Sequence, residues 1–307
     1  MPVENCIVCN NQIKKSTLWG GYFFKGQQFS LVKCSGCGFM FLNPFPDITL
    51  IDDLYAQDDY FDAYHATTEG IKSYIDGMRS YNSIDTNIIN IIHRYKEHGR
   101  LLDIGCAGGR FLLNARNAGF EVYGIEPNKK MADFAVTKLG LKVSCGKLSE
   151  LNTQSGSFDI IHLSDVLEHL PEIRNTMEII KGLLAKNGIV VIQQPMLYNN
   201  SFFNALLQIN MLLKSDRYAP NPPAHLWEFN HATLPRFLNK SGFEIVQMEV
   251  RETRAKPLSA YGQSVSIKNR ISLQVKNISC FLSNLSFLKW LKLGDRAIVI
   301  CKKRETV

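Results

Sequence analysis

Four cysteines near the start of the chain carry the clearest chemical signal. Cys6 and Cys9 form one Cys-x-x-Cys pair, and Cys34 and Cys37 form a second within Cys34-Ser35-Gly36-Cys37-Gly38. Two such pairs with about two dozen residues between them match a tetrahedral four-thiolate zinc site. Gly36 and Gly38 let the backbone curl so that amide groups face the sulfurs. Between the pairs, Trp19, Tyr22, Phe23, Phe24 and Phe29 supply apolar cover for a hairpin too small to hold itself together, so metal binding would contribute folding free energy. A redox dithiol needs one exposed pair near a helix start, and disulfides do not fit a cytosolic chain. Structural Zn2+ is the expectation, and four thiolates leave no open position for catalysis. Cys106, Cys145, Cys280 and Cys301 read as ordinary buried thiols.

A second cluster surrounds the glycines of Leu101-Leu102-Asp103-Ile104-Gly105-Cys106-Ala107-Gly108-Gly109-Arg110. An apolar strand runs into this turn, a helix from Phe111 to Ala118 follows and stops at Gly119, and a second strand, Glu121 to Glu126, ends in an acid. Strand, glycine turn, helix and acid-ended strand make a nucleotide-binding half of a doubly wound fold. A dinucleotide site wants glycine at the first, third and sixth loop positions, which here hold Gly105, Ala107 and Arg110. Asp103 at the strand tip would repel a pyrophosphate and attract a cationic amino-acid group. That pattern suits S-adenosylmethionine, whose sulfonium and ammonium are positive.

On these residues the chain resembles the class I S-adenosylmethionine-dependent methyltransferases, from about Arg100 to Pro195 and more weakly beyond. The resemblance implies an α/β fold, a doubly wound, seven-stranded, mostly parallel Rossmann-like sheet, here with a small N-terminal zinc ribbon. It places Asp103, Gly105, Cys106, Ala107 and Gly109 around the methionyl part of the cofactor, and Glu126, followed by Pro127, against both ribose hydroxyls. Lys147 and Leu148 resemble the stretch that flanks the adenine, and Ser164 and Asp165 close the fourth strand, Phe158 to Leu163. The family more often has glycine at the position of Ala107. Asn221-Pro222-Pro223 is similar to a motif of base and amide N-methyltransferases, but it lies well after strand five and not at the tip of strand four, so it reads as loop.

Methyl transfer is an in-line displacement, and a weakly acidic hydroxyl acceptor needs a base. Asp165-Val166-Leu167-Glu168-His169 sits just past strand four, with Asp165, Glu168 and His169 on one side of a helical turn. His225 lies far downstream in His225-Leu226-Trp227-Glu228-Phe229. One mechanism uses His169 or His225 as the base. A second follows from resemblance: ubiquinone-pathway O-methyltransferases and small-RNA 2′-O-methyltransferases carry an acid-x-x-Glu-His metal motif. That implies a divalent ion on Asp165, Glu168, His169 and His225, with Asp165 standing where those families have Glu. The bland reading is that Glu168 and His169 cap the turn and hold the loop.

The elements that must position these residues divide as a zinc ribbon over 1–45, a linker and helical segment over 46–98, and a methyltransferase domain over 99–307 with a substrate insertion at 196–230. A helix is expected from about Ile71 to His98, another over Thr233 to Lys240, and closing strands at Phe243 to Val250 and Arg296 to Cys301. Tyr198, Phe202, Phe203 and Tyr218 of the insertion would shape an acceptor pocket. The 307 residues, 45% hydrophobic and 21% charged, exclude fibrous and disordered classes. No apolar run of about 18 residues marks a membrane span, and the N-terminus has no secretion signal, so a cytoplasmic location is expected. From Arg251 onward there are 12 Lys/Arg against 3 Asp/Glu, while the rest of the chain is nearly neutral. This basic region suits a phosphate-bearing acceptor or peripheral contact with the inner face of a membrane; the apolar positions from Ile271 to Leu285 read first as a helix packed on the core.

A four-cysteine ribbon, a methyltransferase core and His225-Leu226-Trp227-Glu228-Phe229 before a helix resemble bacterial methyltransferases of surface-polysaccharide and deoxysugar pathways. Some sugar C-methyltransferases share the ribbon but carry a further large C-terminal domain, for which a chain ending at Val307 has no room. The expected reaction is therefore O-methylation of a sugar hydroxyl on a nucleotide-linked or lipid-linked glycan. Alternatives are a quinone or other small molecule, RNA 2′-O-methylation, and a non-enzymatic zinc-ribbon binding module, which intact Asp103, Gly105 and Glu126 disfavour.

Overall fold

The computed structural model describes residues 3–13, 17–57, 60–64, 74–75, 83–199, 218–219, 222–223, 225–253, 267–283, 285 and 290–305. Three strands open it: β1 (Thr17–Phe24), β2 (Gln27–Lys33) and β3 (Met40–Asn43), paired antiparallel in sequence order. Helices α1 (Ile48–Ala56), α2 (Tyr60–Tyr64) and α3 (Ser83–His93) follow. Asp47 caps α1 by accepting from the Thr49 amide at 3.0 Å. Of the helix expected over 71–98, Ser83–His93 is helical, while 71–73 and 76–82 lie outside the described residues.

The main sheet then builds from β4 (Arg100–Ile104), α4 (Arg110–Asn117), β5 (Glu121–Glu126), α5 (Lys129–Leu139), β6 (Val143–Cys145), β7 (Phe158–Ser164), α6 (Ile173–Leu183) and β8 (Leu184–Pro195). Late in the chain come β9 (Tyr218–Ala219), β10 (Trp227–Glu228), α7 (Thr233–Lys240), β11 (Phe243–Arg251), α8 (Ile267–Ser283) and β12 (Arg296–Lys303). The seven-stranded order is β11-β12-β8-β7-β4-β5-β6, parallel except that β12 runs antiparallel to both its neighbours. This is the class I methyltransferase architecture that the sequence implied. β4, β7 and β8 are buried over most of their length, as central parallel strands covered on both faces must be.

The short ribbon sheet is larger than a hairpin. Its order is β10-β3-β2-β1-β9, so two strands from the late insertion flank the three N-terminal ones, β9 parallel to β1 and β10 antiparallel to β3. One buried cluster runs without a break from Phe39, Phe41 and Leu42 through Trp227 and Phe229 to Leu163 and Ile192 of the main sheet. The opposite face packs Ile88, Ile92, Leu112 and Ile160. Phe202, Phe203 and Asn221 lie outside the described residues. Among those described, no helix is long and apolar enough to cross a membrane.

Candidate active site

β4 delivers Asp103 to the carboxyl edge of the sheet, and the chain turns there on left-handed residues: Gly105 at φ 69°, Ala107 at 47° and Gly109 at 82°. A Cβ on Gly105 would stand 2.6 Å from a Val166 methyl, so the close approach of the two loops requires glycine. Glu126, at the end of β5, is almost fully buried. Its two carboxylate oxygens accept the amides of Ala107 at 2.8 Å and Asn128 at 2.9 Å. Burial outweighs these bonds and pushes the carboxyl up to about 7. Asp103 is also buried, with Oδ1 2.7 Å from His162 Nδ1, and His162 Nε2 lies 3.1 Å from the amide nitrogen of Gln193. As oriented, that amide donates, which leaves the ring proton on Nδ1, toward Asp103. His162 stacks on Phe111 at 3.8 Å, which fixes its plane.

A cavity of about 610 Å³ opens over this edge. Asp103, Gly105, Cys106, Ala107, Glu126, Pro127, Lys147, Leu148, Ser164 and Asp165 all line it. Gly109 does not; it caps α4, and a Cβ there would meet Leu141 and Ala135. Tyr55, Tyr60, Phe61 and Tyr74 form much of the opposite wall.

Past β7 the chain passes through Asp165, at φ 54°, into a single 3-10 turn, Leu167–His169. His169 lines the cavity, and its Nε2 is 3.7 Å from Glu168 Oε1 behind it. Glu168 is 1% exposed; Oε2 accepts from Gln194 at 3.2 Å, and Oε1 has no hydrogen-bond partner among the described residues. Burial, and then the Asp165 charge, push this carboxyl up to about 8. The ring of His225 meets that of His169 edge-on at 4.9 Å, and its Nδ1 pairs with Glu228 Oε1 at 3.1 Å. Burial opposes the charged ring, but the Glu228 bond and the surrounding carboxylates outweigh it and raise His225 to about 9.

Two expectations are corrected here. His225 is not among the residues that line the cavity: it stands behind His169, which does line it. Asp165 does not join the expected metal set. Its left-handed backbone turns the carboxylate to Arg296 on β12, which holds it through two bonds of 2.8 and 3.1 Å. Glu168, His169 and His225 do come together, with donor atoms within 4.8 Å, and offer a divalent ion one donor fewer than the four expected.

The ribbon cysteines converge as their spacing implied. Cys6 and Cys37 sulfurs are 3.6 Å apart, as are those of Cys9 and Cys34, and all four lie within 4.8 Å. Thiolates about 2.3 Å from a tetrahedral Zn2+ would sit about 3.8 Å from one another, so the donor set fits that ion. The knuckles close through Asn10 N–H to the Cys6 carbonyl and Gly38 N–H to that of Cys34, both at 2.9 Å. Burial pushes the Cys6 thiol up to about 11, and a cation among the sulfurs is what would ionise it. Cys106, Cys280 and Cys301 are buried, but Cys145 is exposed because β6 is a short edge strand.

A sequence profile of the methyltransferase domain matches residues 79–248, more than half of the chain. The chain belongs to the methyltransferase domain family. Curated relatives include a ubiquinone biosynthesis O-methyltransferase from Pelagibacter ubique, 32% identical over 45% of this chain and 63% of that protein. Another of the same name from Bordetella avium is 27% identical over 52% of this chain and 68% of its own length. The match thus spans about two thirds of these relatives. Solved structures share the fold. A Haloferax volcanii methyltransferase in complex with the activator Trm112 superposes with a TM-score of 0.55 at 13% identity, over 81% of this chain and 98% of that one. A Burkholderia thailandensis 1,6-didemethyltoxoflavin N1-methyltransferase, bound to S-adenosylhomocysteine, gives 0.53 at 15% identity, over 91% and 96%.

The domain is that of S-adenosylmethionine-dependent methyltransferases, and the cavity above β4 and β5 is lined by most of the residues that the sequence assigned to that cofactor. Several residues of the site were not singled out in the sequence: His162, Gln193, Gln194, Arg296, Glu228 and the tyrosines of α1 and α2. Glu228 could have been found, three residues after His225 in the same short stretch. Arg296 could not, because 131 residues separate it from Asp165.

Proposed function

We propose that this methyltransferase is an O-methyltransferase of a small-molecule hydroxyl, with His169 as the base. The observation that carries the reading is that, of the two imidazoles on the cavity wall, His162 is engaged through both ring nitrogens by Asp103 and Gln193, whereas His169 is backed at 3.7 Å by a buried carboxyl group with an oxygen that has no hydrogen-bond partner among the described residues. Glu168, 3.7 Å behind the ring, holds its orientation as His169 takes the acceptor proton. The cationic His225, behind it, lowers the proton affinity of Glu168 and so opposes in part the burial that raises it. Asp103 would receive the cofactor ammonium and Glu126 the ribose hydroxyls, while Gly105, Cys106 and Ala107 pass along the methionyl chain. Pro127, Lys147 and Leu148 would border the adenine, and Ser164 and Asp165 the cofactor's reactive end. The residue types support these roles: buried acids for cationic and hydroxyl groups, and a glycine turn for close approach. The ribbon would hold structural Zn2+ on Cys6, Cys9, Cys34 and Cys37, at about one ion per chain; metal analysis should find it, and Cys34→Ser should lose it.

A phenolic or quinol hydroxyl is favoured by the aromatic wall and by the names of the relatives. A sugar hydroxyl on a nucleotide-linked or lipid-linked glycan is the second reading, favoured by the polar rim of Glu172, Asn175 and Thr176 at the same cavity. The test is methyl transfer from radiolabelled S-adenosylmethionine to a catechol, to a panel of nucleotide deoxysugars and to total RNA. Label in the catechol or the sugars supports O-methylation and chooses between the two. Label confined to RNA would overturn the small-molecule reading.

A further inference from the structure

The short segment 225–229 is fixed from two sides. Toward the ribbon, β10 pairs with β3, Trp227 opposite Phe41 and Glu228 opposite Met40, and the Leu42 amide donates to the Leu226 carbonyl at 3.0 Å. Toward the active site, the Leu226 amide donates to the Glu168 carbonyl at 2.9 Å. The Trp227 indole N–H donates to the Leu170 carbonyl at 2.8 Å. Glu168 and Leu170 flank His169, so both bonds grip the turn that carries the catalytic imidazole.

The Trp227 ring itself is buried among ribbon aromatics, 4.6 Å from Phe45, 6.1 Å from Phe39 and 6.2 Å from Phe41. Phe39 also tilts against Phe229 at 5.0 Å. On the far side, Arg174 in the first turn of α6 donates to the Ile7 carbonyl at 3.1 Å, next to Cys6. Apolar filling would need only the ring. The N–H adds direction, because a buried indole donor must find its one acceptor and so fixes the carbonyl it meets.

We infer that Trp227 is a positioning residue: it ties the cysteine ribbon to the turn bearing His169, so that the ribbon sets where the imidazole stands. The inference rests on His169 being the base. It also gives β10 a purpose, since its segment fastens β3 of the N-terminal sheet to the turn bearing His169.

Trp227→Phe keeps the ring and removes the donor, and Phe39→Leu loosens the same stack from within the ribbon. Hydrogen exchange by mass spectrometry should show the amides of 166–170 opening about tenfold faster in either variant, with those of 105–110 unchanged. Affinity for S-adenosylmethionine, measured by calorimetry, should stay within about twofold, while turnover of the catechol or sugar probe falls about tenfold. In the double variant the two losses should overlap and not multiply, since both act through one contact. Unchanged exchange at 166–170, or cofactor affinity falling in step with turnover, would overturn the inference. Faster exchange with unchanged turnover would leave the tie standing and remove His169 as the base. The exchange and binding measurements need no acceptor, so they remain decisive if none of the probes is methylated.

Discussion

The two ends of the cavity are built in different ways. At the cofactor end, Asp103, Gly105, Ala107 and Glu126 come from one strand–turn–helix–strand unit of about two dozen residues. Their geometry is local: three left-handed residues, and a carboxylate that accepts the amide of the turn beside it. At the His169 end, His169 follows β7, Glu228 and His225 come from the end of the insertion, and Arg296 opens the last strand. Beyond the bond between His225 and Glu228 and the contact of His169 with Glu168, little local holds that set. It is held by Arg296 on Asp165, by Gln194 on Glu168 and by the ribbon through Trp227. A locally built site tolerates change elsewhere in the chain, whereas an assembled one depends on every element that contributes to it.

The widest separation of the two ends should come from His169→Asn. Turnover is expected to fall by about 10²–10⁴-fold, the usual worth of a general base, while calorimetry finds cofactor affinity unchanged. Next, Glu126→Ala should weaken S-adenosylmethionine by about 100-fold or more, because two charge-assisted bonds to the ribose are lost. An equal loss of affinity in both variants would break the contrast. Because burial lifts Glu126 to about 7, cofactor affinity should rise as pH climbs through that value and the carboxylate forms.

A third test uses stability. The Glu168 carboxyl is raised in the fold from 4.5 to about 8, so its contribution is complete below the lower value and is lost as pH rises through the higher one. Glu168→Gln removes that loss, and its Tm at pH 9 should exceed the parent's by about 2–4 °C, with no gain at pH 4. The smallest effect belongs to Arg296→Lys, which keeps the charge and loses the two-point grip on a half-exposed Asp165. Turnover should fall only about two- to fivefold, with cofactor binding intact.

The cofactor end was legible in the chain because a glycine turn and an acid two residues before it state their geometry within one short segment. The thiolate set was legible for the same reason: each Cys-x-x-Cys knuckle is local, and only the meeting of two knuckles is left to the fold. Asp165 misled because its place in the acid-x-x-Glu-His pattern is right while its side chain answers to Arg296, far along the chain. His225 misled because proximity to the site does not say which imidazole faces the cavity. The edge-on stacking with His169 decides that, and it depends on the strand pairing of β10 with β3.

By itself, then, the sequence determined the main strands of the methyltransferase core, the glycine turn and its acids, and the two thiol knuckles. Hydrophobic period, turn chemistry and metal-ligand spacing all act over a few residues. The tertiary structure alone decided that the ribbon would take strands from the insertion, that Glu168 would be buried with one oxygen unpartnered among the described residues, and that His169 and not His225 would reach the cavity. Those outcomes depend on desolvation and on pairings between segments more than a hundred residues apart, and no local pattern encodes either.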